Sequence, residues 1–235
     1  MQPLEKQLAQ LVVEFRAWLA ANYAPQDIAA LHVDNAGYPG WPQVTKAVGE
    51  LLRAGQLPHL SYVAQCNLLY LIARNWDIGS LLNWLYSEPA LSNVGPLSEA
   101  DFLRLACTVA HLSHPEYDDA KSQFAACFRK LPALTAEGQE VLLALFGATG
   151  HEYTQQQALR SLAHLGYPGL RELLPLAWET SADEHHKLAV LAVIADYLPD
   201  PVLLRHYLAL ADAVPGAYLA GYVRDLRHAL AHPNS

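Results

Sequence analysis

Between residues 151 and 212 the order of apolar and polar positions is written twice. Ala158, Leu159 and Leu162 are answered 31 positions later by Ala189, Val190 and Val193, and the break Gly166-Tyr167-Pro168-Gly169 by Leu198-Pro199-Asp200-Pro201, 32 positions on. Beyond each break a second apolar helix begins, with Leu173 and Leu176 answered at the 31-residue spacing by Leu204 and Tyr207. Each copy reads as helix, tight turn, helix. A helical hairpin of this kind cannot bury its apolar face alone, so a period of roughly 30 to 45 residues predicts hairpins stacked in a row. Moving back another 31 positions puts Cys127, Phe128 and Leu131 on Ala158, Leu159 and Leu162, and Leu142 and Leu145 on Leu173 and Leu176. A third pair of helices is therefore expected at 116–130 and 136–147.

The rest of the chain follows the same grammar. Leu4, Leu8, Leu11, Val12, Phe15 and Leu19 stand three and four apart and draw one stripe on a helix over 3–22. Gly37-Tyr38-Pro39-Gly40 repeats the four residues of the later break, and Ala29, Val33 and Val44 fall 129 positions before Ala158, Leu162 and Leu173, which predicts an early hairpin over 25–53. Leu60, Val63, Ala64, Asn67, Leu68, Leu71 and Ile72 predict a helix over 59–75. Trp76-Asp77-Ile78-Gly79 reads as a sharp turn, with Asp77 as N-cap of a helix carrying Leu81, Leu82 and Leu85. Residues 87–96, rich in Ser, Pro, Gly and Asn, form the longest candidate loop. Ser98, with Asp101 three residues on, resembles a capping box opening a helix that ends near His114-Pro115. Tyr218, Leu219, Tyr222, Val223 and Leu226 place a last helix at 215–230, before a frayed tail. No segment alternates with period two, so essentially no sheet is expected.

The chain thus reads as one all-α domain of about five to six hairpins: a capping helix over 1–24, helical repeats over 25–212, and a C-terminal capping helix and tail over 213–235. The small Ala of the first helix, the apolar positions behind it, the Pro-bearing turn and the Leu-rich second helix resemble the HEAT-like (armadillo-type) helical repeat superfamily. The resemblance is clearest over 121–212. It implies a right-handed superhelix, or solenoid, with a concave face lined by second helices and used to bind other macromolecules. There are departures from the pattern: the customary Asp of the turn is present as Asp200 but is Gly169 in the preceding hairpin, and the Arg early in the second helix is matched loosely by Arg171 and Arg205.

Composition narrows the function. Of the 235 residues 52% are hydrophobic and 16% charged, which supplies a core and excludes a disordered chain. Fifteen basic residues against 23 acidic ones give a formal net charge of −8. Phosphate backbones are bound by clustered Lys and Arg, and no such cluster stands here, so nucleic acid is not an expected partner. Cys66, Cys107 and Cys127 lack CxxC spacing and sit among apolar neighbours, as reduced core residues do. Glu5, Glu14 and Arg16 interrupt the N-terminus where a signal peptide would be apolar, and the longest apolar run, 188–195, is far short of the ~18 residues of a membrane span. The expectation is a cytoplasmic protein, neither membrane-bound nor carrying a cofactor.

Eleven His residues raise the question of metal or acid-base chemistry. His151-Glu152 opens one helix and Glu184-His185-His186 the next, where stacked hairpins would bring them roughly 10 Å apart. Some helical-repeat hydroxylases resemble this in holding di-iron through His-Glu pairs, but three further pairs would be expected and only His151-Glu152 has that order. His151, Glu152, Glu184 and His185 are the least implausible site for an enzyme on this scaffold, whether hydroxylase-like or lyase-like. First-turn residues favourably placed at a helix dipole are the simpler reading. His111 with His114, and His228 with His232, offer two imidazoles each and no third ligand. A DNA-glycosylase-like groove would draw rings from Trp84, Trp178 and Tyr207, against the acidic balance. No nucleophile elbow or phosphate loop is present.

Surfaces are the better candidates. Tyr38 and Trp41, in a Gly/Pro turn, either mark a contact site or fold back to plug the space beside them. Glu140, Arg171, Glu172, Glu179, Arg205 and His206 are the polar residues of the second helices, with Trp178 and Tyr207 beside them, and Arg171, Trp178 and Arg205 are the expected partner contacts. The function this points to is a non-enzymatic scaffold, adaptor or regulator that binds another protein, whose acidic surface favours a basic partner and includes neutralisers of basic proteins.

Overall fold

The computed structural model describes residues 3–31, 33–75, 98–147 and 151–232. The expected turn at 76–79 with its Asp77 cap, the helix bearing Leu81, Leu82, Trp84 and Leu85, and the loop at 87–96 lie outside the described residues. Among those described there are twelve α-helices, four short 3-10 turns and no strand. The helices gather into two compact units, Met1–Leu131 and Pro132–Ser235. The boundary divides the pair expected at 116–130 and 136–147.

The N-terminal unit contains α1 (Pro3–Asn22), α2 (Pro25–Ala29), α3 (Trp41–Arg53), α4 (Tyr62–Arg74), α5 (Glu99–Ala110) and α6 (Asp118–Cys127). Helix α4 is its axis, packed on α1, α5 and α6. The sequence explains why: Leu68, Leu69, Tyr70, Leu71, Ile72 and Ala73 are consecutive and all buried, and a helix apolar on every side must be surrounded. Val63, placed on the apolar stripe by its spacing, is instead 66% exposed. Ser61 caps α4 by accepting the Ala64 N–H at 3.3 Å, and the Glu5 carboxylate of α1 accepts the Ser61 N–H at 2.8 Å. Leu8, Leu11, Val12, Phe15 and Leu19 of α1 are buried, as their stripe requires. Only five residues of the helix expected after Pro25 form, as α2, and Leu31 enters the left-handed region at φ 59°. Ala29 and Val33 are therefore not the equivalents of the fully buried Ala158 and Leu162.

The C-terminal unit contains α7 (Ala136–Phe146), α8 (Glu152–His164), α9 (Leu170–Thr180), α10 (Glu184–Tyr197), α11 (Pro201–Ala211) and α12 (Ala217–Ala231). Helix α8 packs on α7 and α10, and α10 packs in turn on α12, while α9 and α11 pack against the helices before and after them. Ala158, Leu159, Leu162, Ala189, Val190 and Val193 are all buried, so the 31-residue correspondence of the first helices holds. In the second helices it slips. Leu176 is 57% exposed, whereas its expected equivalent Tyr207 is buried. The buried set Leu174, Ala177 and Trp178 corresponds to Leu204, Tyr207 and Leu208, 30 positions on, because the connection after α10 is shorter than that after α8.

The Gly-Tyr-Pro-Gly turns do correspond. In each, the Tyr carbonyl accepts the N–H of the residue that starts the next helix, Trp41 at 3.4 Å and Leu170 at 3.2 Å. In each, the Tyr ring folds over the second Gly, so that a Cβ at Gly40 or Gly169 would collide with Tyr38 or Tyr167. The recurrence thus reflects a ring-over-glycine turn, whatever helix precedes it.

Candidate functional site

Of the two readings open for Tyr38 and Trp41 the structure shows the folded-back one, and Trp178, expected as a partner contact, is buried as well. Tyr38 and Trp41 fold back onto α1, with Phe15 centred 4.8 Å from the Tyr38 ring and 5.4 Å from the Trp41 ring, and Trp41 Nε1 donates to the Asn35 carbonyl at 2.7 Å. Trp178 and Tyr207 are likewise buried, edge to face at 5.3 Å, and join α9 to α11. The Lys187 ammonium lies 4.6 Å from the centre of the Trp178 ring, and burial lowers it from its ordinary pKa, with Glu179 opposing. These four aromatics act through the core: Trp41, Trp178 and Tyr207 on the buried sides of their helices, and Tyr38 from the turn before α3.

The two expected arginines part company. Arg171 donates to Asp200 at 2.8 Å, while the same carboxylate caps α11 by accepting the Val202 and Leu203 N–H groups at 3.0 Å. The Leu203 N–H first, then Arg171, hold the Asp200 carboxyl below the usual carboxylate range. Arg171 is thus committed to tying one hairpin to the next. Arg205 is exposed on α11 and lines a groove of about 630 Å³ with Pro201, Leu208, Arg227 and Leu230. Leu176 on α9 is 57% exposed and Val202 on α11 69% exposed, and Glu172, Glu179 and His206 on the same two helices are exposed as well. Glu140 is exposed on α7.

The residues considered for metal are engaged elsewhere. Glu152 accepts the Ser181 hydroxyl proton at 2.7 Å, at the approach to α10. Glu184 accepts the N–H groups of Tyr218 and Leu219, at 3.0 and 3.1 Å, where α12 begins. His151 Nδ1 meets Thr154 Oγ1 at 2.8 Å, and the His185 ring lies 5.3 Å from that of Tyr218. These carboxylates therefore latch the start of a following helix, the role Glu5 has for α4. The 32-residue spacing of Glu152 and Glu184 was the available sign of that role. Of the other pairs, His111 Nδ1 meets the Cys107 carbonyl at 2.8 Å and His114 Nδ1 accepts the Glu116 N–H at 3.3 Å, each within its own turn; His228 and His232 stack edge to face. Among the described residues no group of three His, Cys, Asp or Glu is placed to hold a metal ion.

Compared with family models, with curated proteins and with solved structures, the chain matches none. Any function is therefore argued from the surface itself.

That surface offers contact chemistry. Apolar side chains left in water beside charged ones gain free energy when a partner covers them, and Arg is among the residues that concentrate such energy. Of the cysteines, Cys66 and Cys107 are half-buried and Cys127 is buried, with burial pushing the Cys127 thiol up to about 11. At that value it is held as the thiol at neutral pH, as a buried core residue. No described helix is long and apolar enough to cross a membrane.

Proposed function

We propose that the chain is a HEAT-like helical-repeat module that binds another protein through the outer sides of its second helices, with Leu176, Val202 and Arg205 as the contact residues. The carrying observation is the pair of large apolar side chains, 57% and 69% exposed, on helices whose buried faces are otherwise filled by Leu174, Ala177, Trp178, Leu204, Tyr207 and Leu208. Covering these side chains would remove apolar surface from water, which favours association with a partner. The formal charge of −8 and the exposed Glu140, Glu172 and Glu179 favour a basic protein, which the field steers toward them, so the module would serve as scaffold, adaptor or neutraliser.

The test is capture from a native extract on the immobilised chain, beside Val202→Asp with Leu176→Asp and, separately, Arg205→Glu. A basic protein retained by the wild type and lost from the double variant supports the reading. Retention unchanged by every substitution, with circular dichroism showing intact folds, sinks it.

A further inference from the structure

A second site lies in the N-terminal unit. A pocket of about 590 Å³ opens between α1, α2, the end of α4 and the turn after α5. Its size is that of small-molecule sites, roughly 300 to 1,000 Å³. One wall is aliphatic, built from Leu19, Ile28, Leu31 and Val33. The lining also carries two guanidinium groups on the same ring: Arg16 is 4.7 Å and Arg74 5.2 Å from the centre of Tyr70.

Arg74 is only 4% exposed, yet its charge is poorly answered. Its Nη2 donates to the Glu116 carbonyl at 3.2 Å, its buried Nε has no hydrogen-bond partner, and among the described residues no carboxylate pairs with it. Taking a cation out of water is costly, and contact with an aromatic face offsets only part of that cost. The carboxylate of Glu116 is turned to Arg16 at 3.3 Å, with His114 3.7 Å from its other oxygen. Arg16 and Arg74 against Glu116 leave one positive charge in excess, more when His114 is protonated. The pocket thus combines an aliphatic wall with the counter-charge for a single anion.

We propose that this pocket binds a monoanionic acid with an aliphatic body, its carboxylate held by Arg74 and Arg16 and its chain laid against Leu19, Ile28, Leu31 and Val33. The site is independent of the protein-binding surface, which lies on other helices. Calorimetric titration of the full chain with octanoate, octanol and inorganic phosphate tests it. Octanoate should bind one to one and about tenfold or more tighter than either octanol, which lacks the charge, or phosphate, which lacks the chain. Arg74→Met and Arg16→Met, which keep an apolar stem, should each weaken octanoate by a similar factor. Octanol or phosphate binding as tightly as octanoate, or no binding of octanoate, overturns the proposal. So does undiminished octanoate binding to a folded Arg74→Met protein; should that variant not fold, Arg16→Met and the comparison of acid with alcohol decide the matter.

Discussion

The two units solve the burial problem by different means. The N-terminal unit closes rings around one helix: Phe15 touches Tyr38, Trp41 and Tyr70 within 6.1 Å, and Phe102 lies against Phe124 and Phe128. The C-terminal unit lays small and aliphatic residues in series, Ala158, Leu159 and Leu162 in one helix and Ala189, Val190 and Val193 in another. Each also sets a cation on a ring, Arg74 over Tyr70 and Lys187 over Trp178. The ammonium adapts by a lowered pKa, which a guanidinium cannot do. The buried arginine thus keeps its charge, whereas the buried lysine has its neutral form within easier reach.

The contrast can be broken most severely in the ring cluster. Phe15→Ala should cost about 3 to 5 kcal/mol and Leu162→Ala about 2 to 5 kcal/mol, read by denaturant unfolding, with the larger loss at Phe15 because several rings lose a partner at once. Equal losses would mean that the two cores are packed alike. Next come the paired turns. Gly40→Ala should cost about 1 to 3 kcal/mol, since the displaced Tyr38 ring is buried, and Gly169→Ala less, since Tyr167 is only half-buried and can swing out.

The carboxylate latches sharpen what the units share. Glu184→Ala should cost about 1 kcal/mol, like the loss of a helix cap, and Glu5→Ala a similar amount. Hydrogen exchange should quicken at the Tyr218 and Leu219 amides in the first and at the Ser61 amide in the second; unchanged exchange at all three would show that the latches carry no strength. The smallest effect concerns acid. Asp200 titrates below its ordinary value of 3.8, so the stability it contributes is complete above that pH and is lost as pH falls through the lowered value. Asp200→Asn should lower stability slightly at neutral pH and leave it little altered below the lowered value, so that the acid limb becomes shallower.

How much was legible followed the same division. Helices α8 to α12 could be read because packing of like on like imposes a period, and the period is visible in residue types. The expected 31-residue register failed at Leu176 because residue type alone cannot register a connection shortened by a residue or two. Tyr38 and Trp41 left two readings open, since a ring in a turn looks the same from the sequence whether it faces water or Phe15. Glu152 and Glu184 resembled ligands because a carboxylate in the first turn of a helix has the same neighbours in the chain whether it holds a metal or the start of another helix. The pocket was not legible, as its walls come from 16, 28, 74 and 116, brought together only by tertiary packing.

One glycine carries the end of this logic. Gly216 has φ 153°, and a Cβ there would collide with the Glu184 carboxylate that holds the start of α12. Positions 184 and 216 are thus bound to one another in heredity as well as in space. In a library selected for folding, a side chain at 216 would be accepted first in clones where 184 has already shrunk, and the two positions would drift together or not at all.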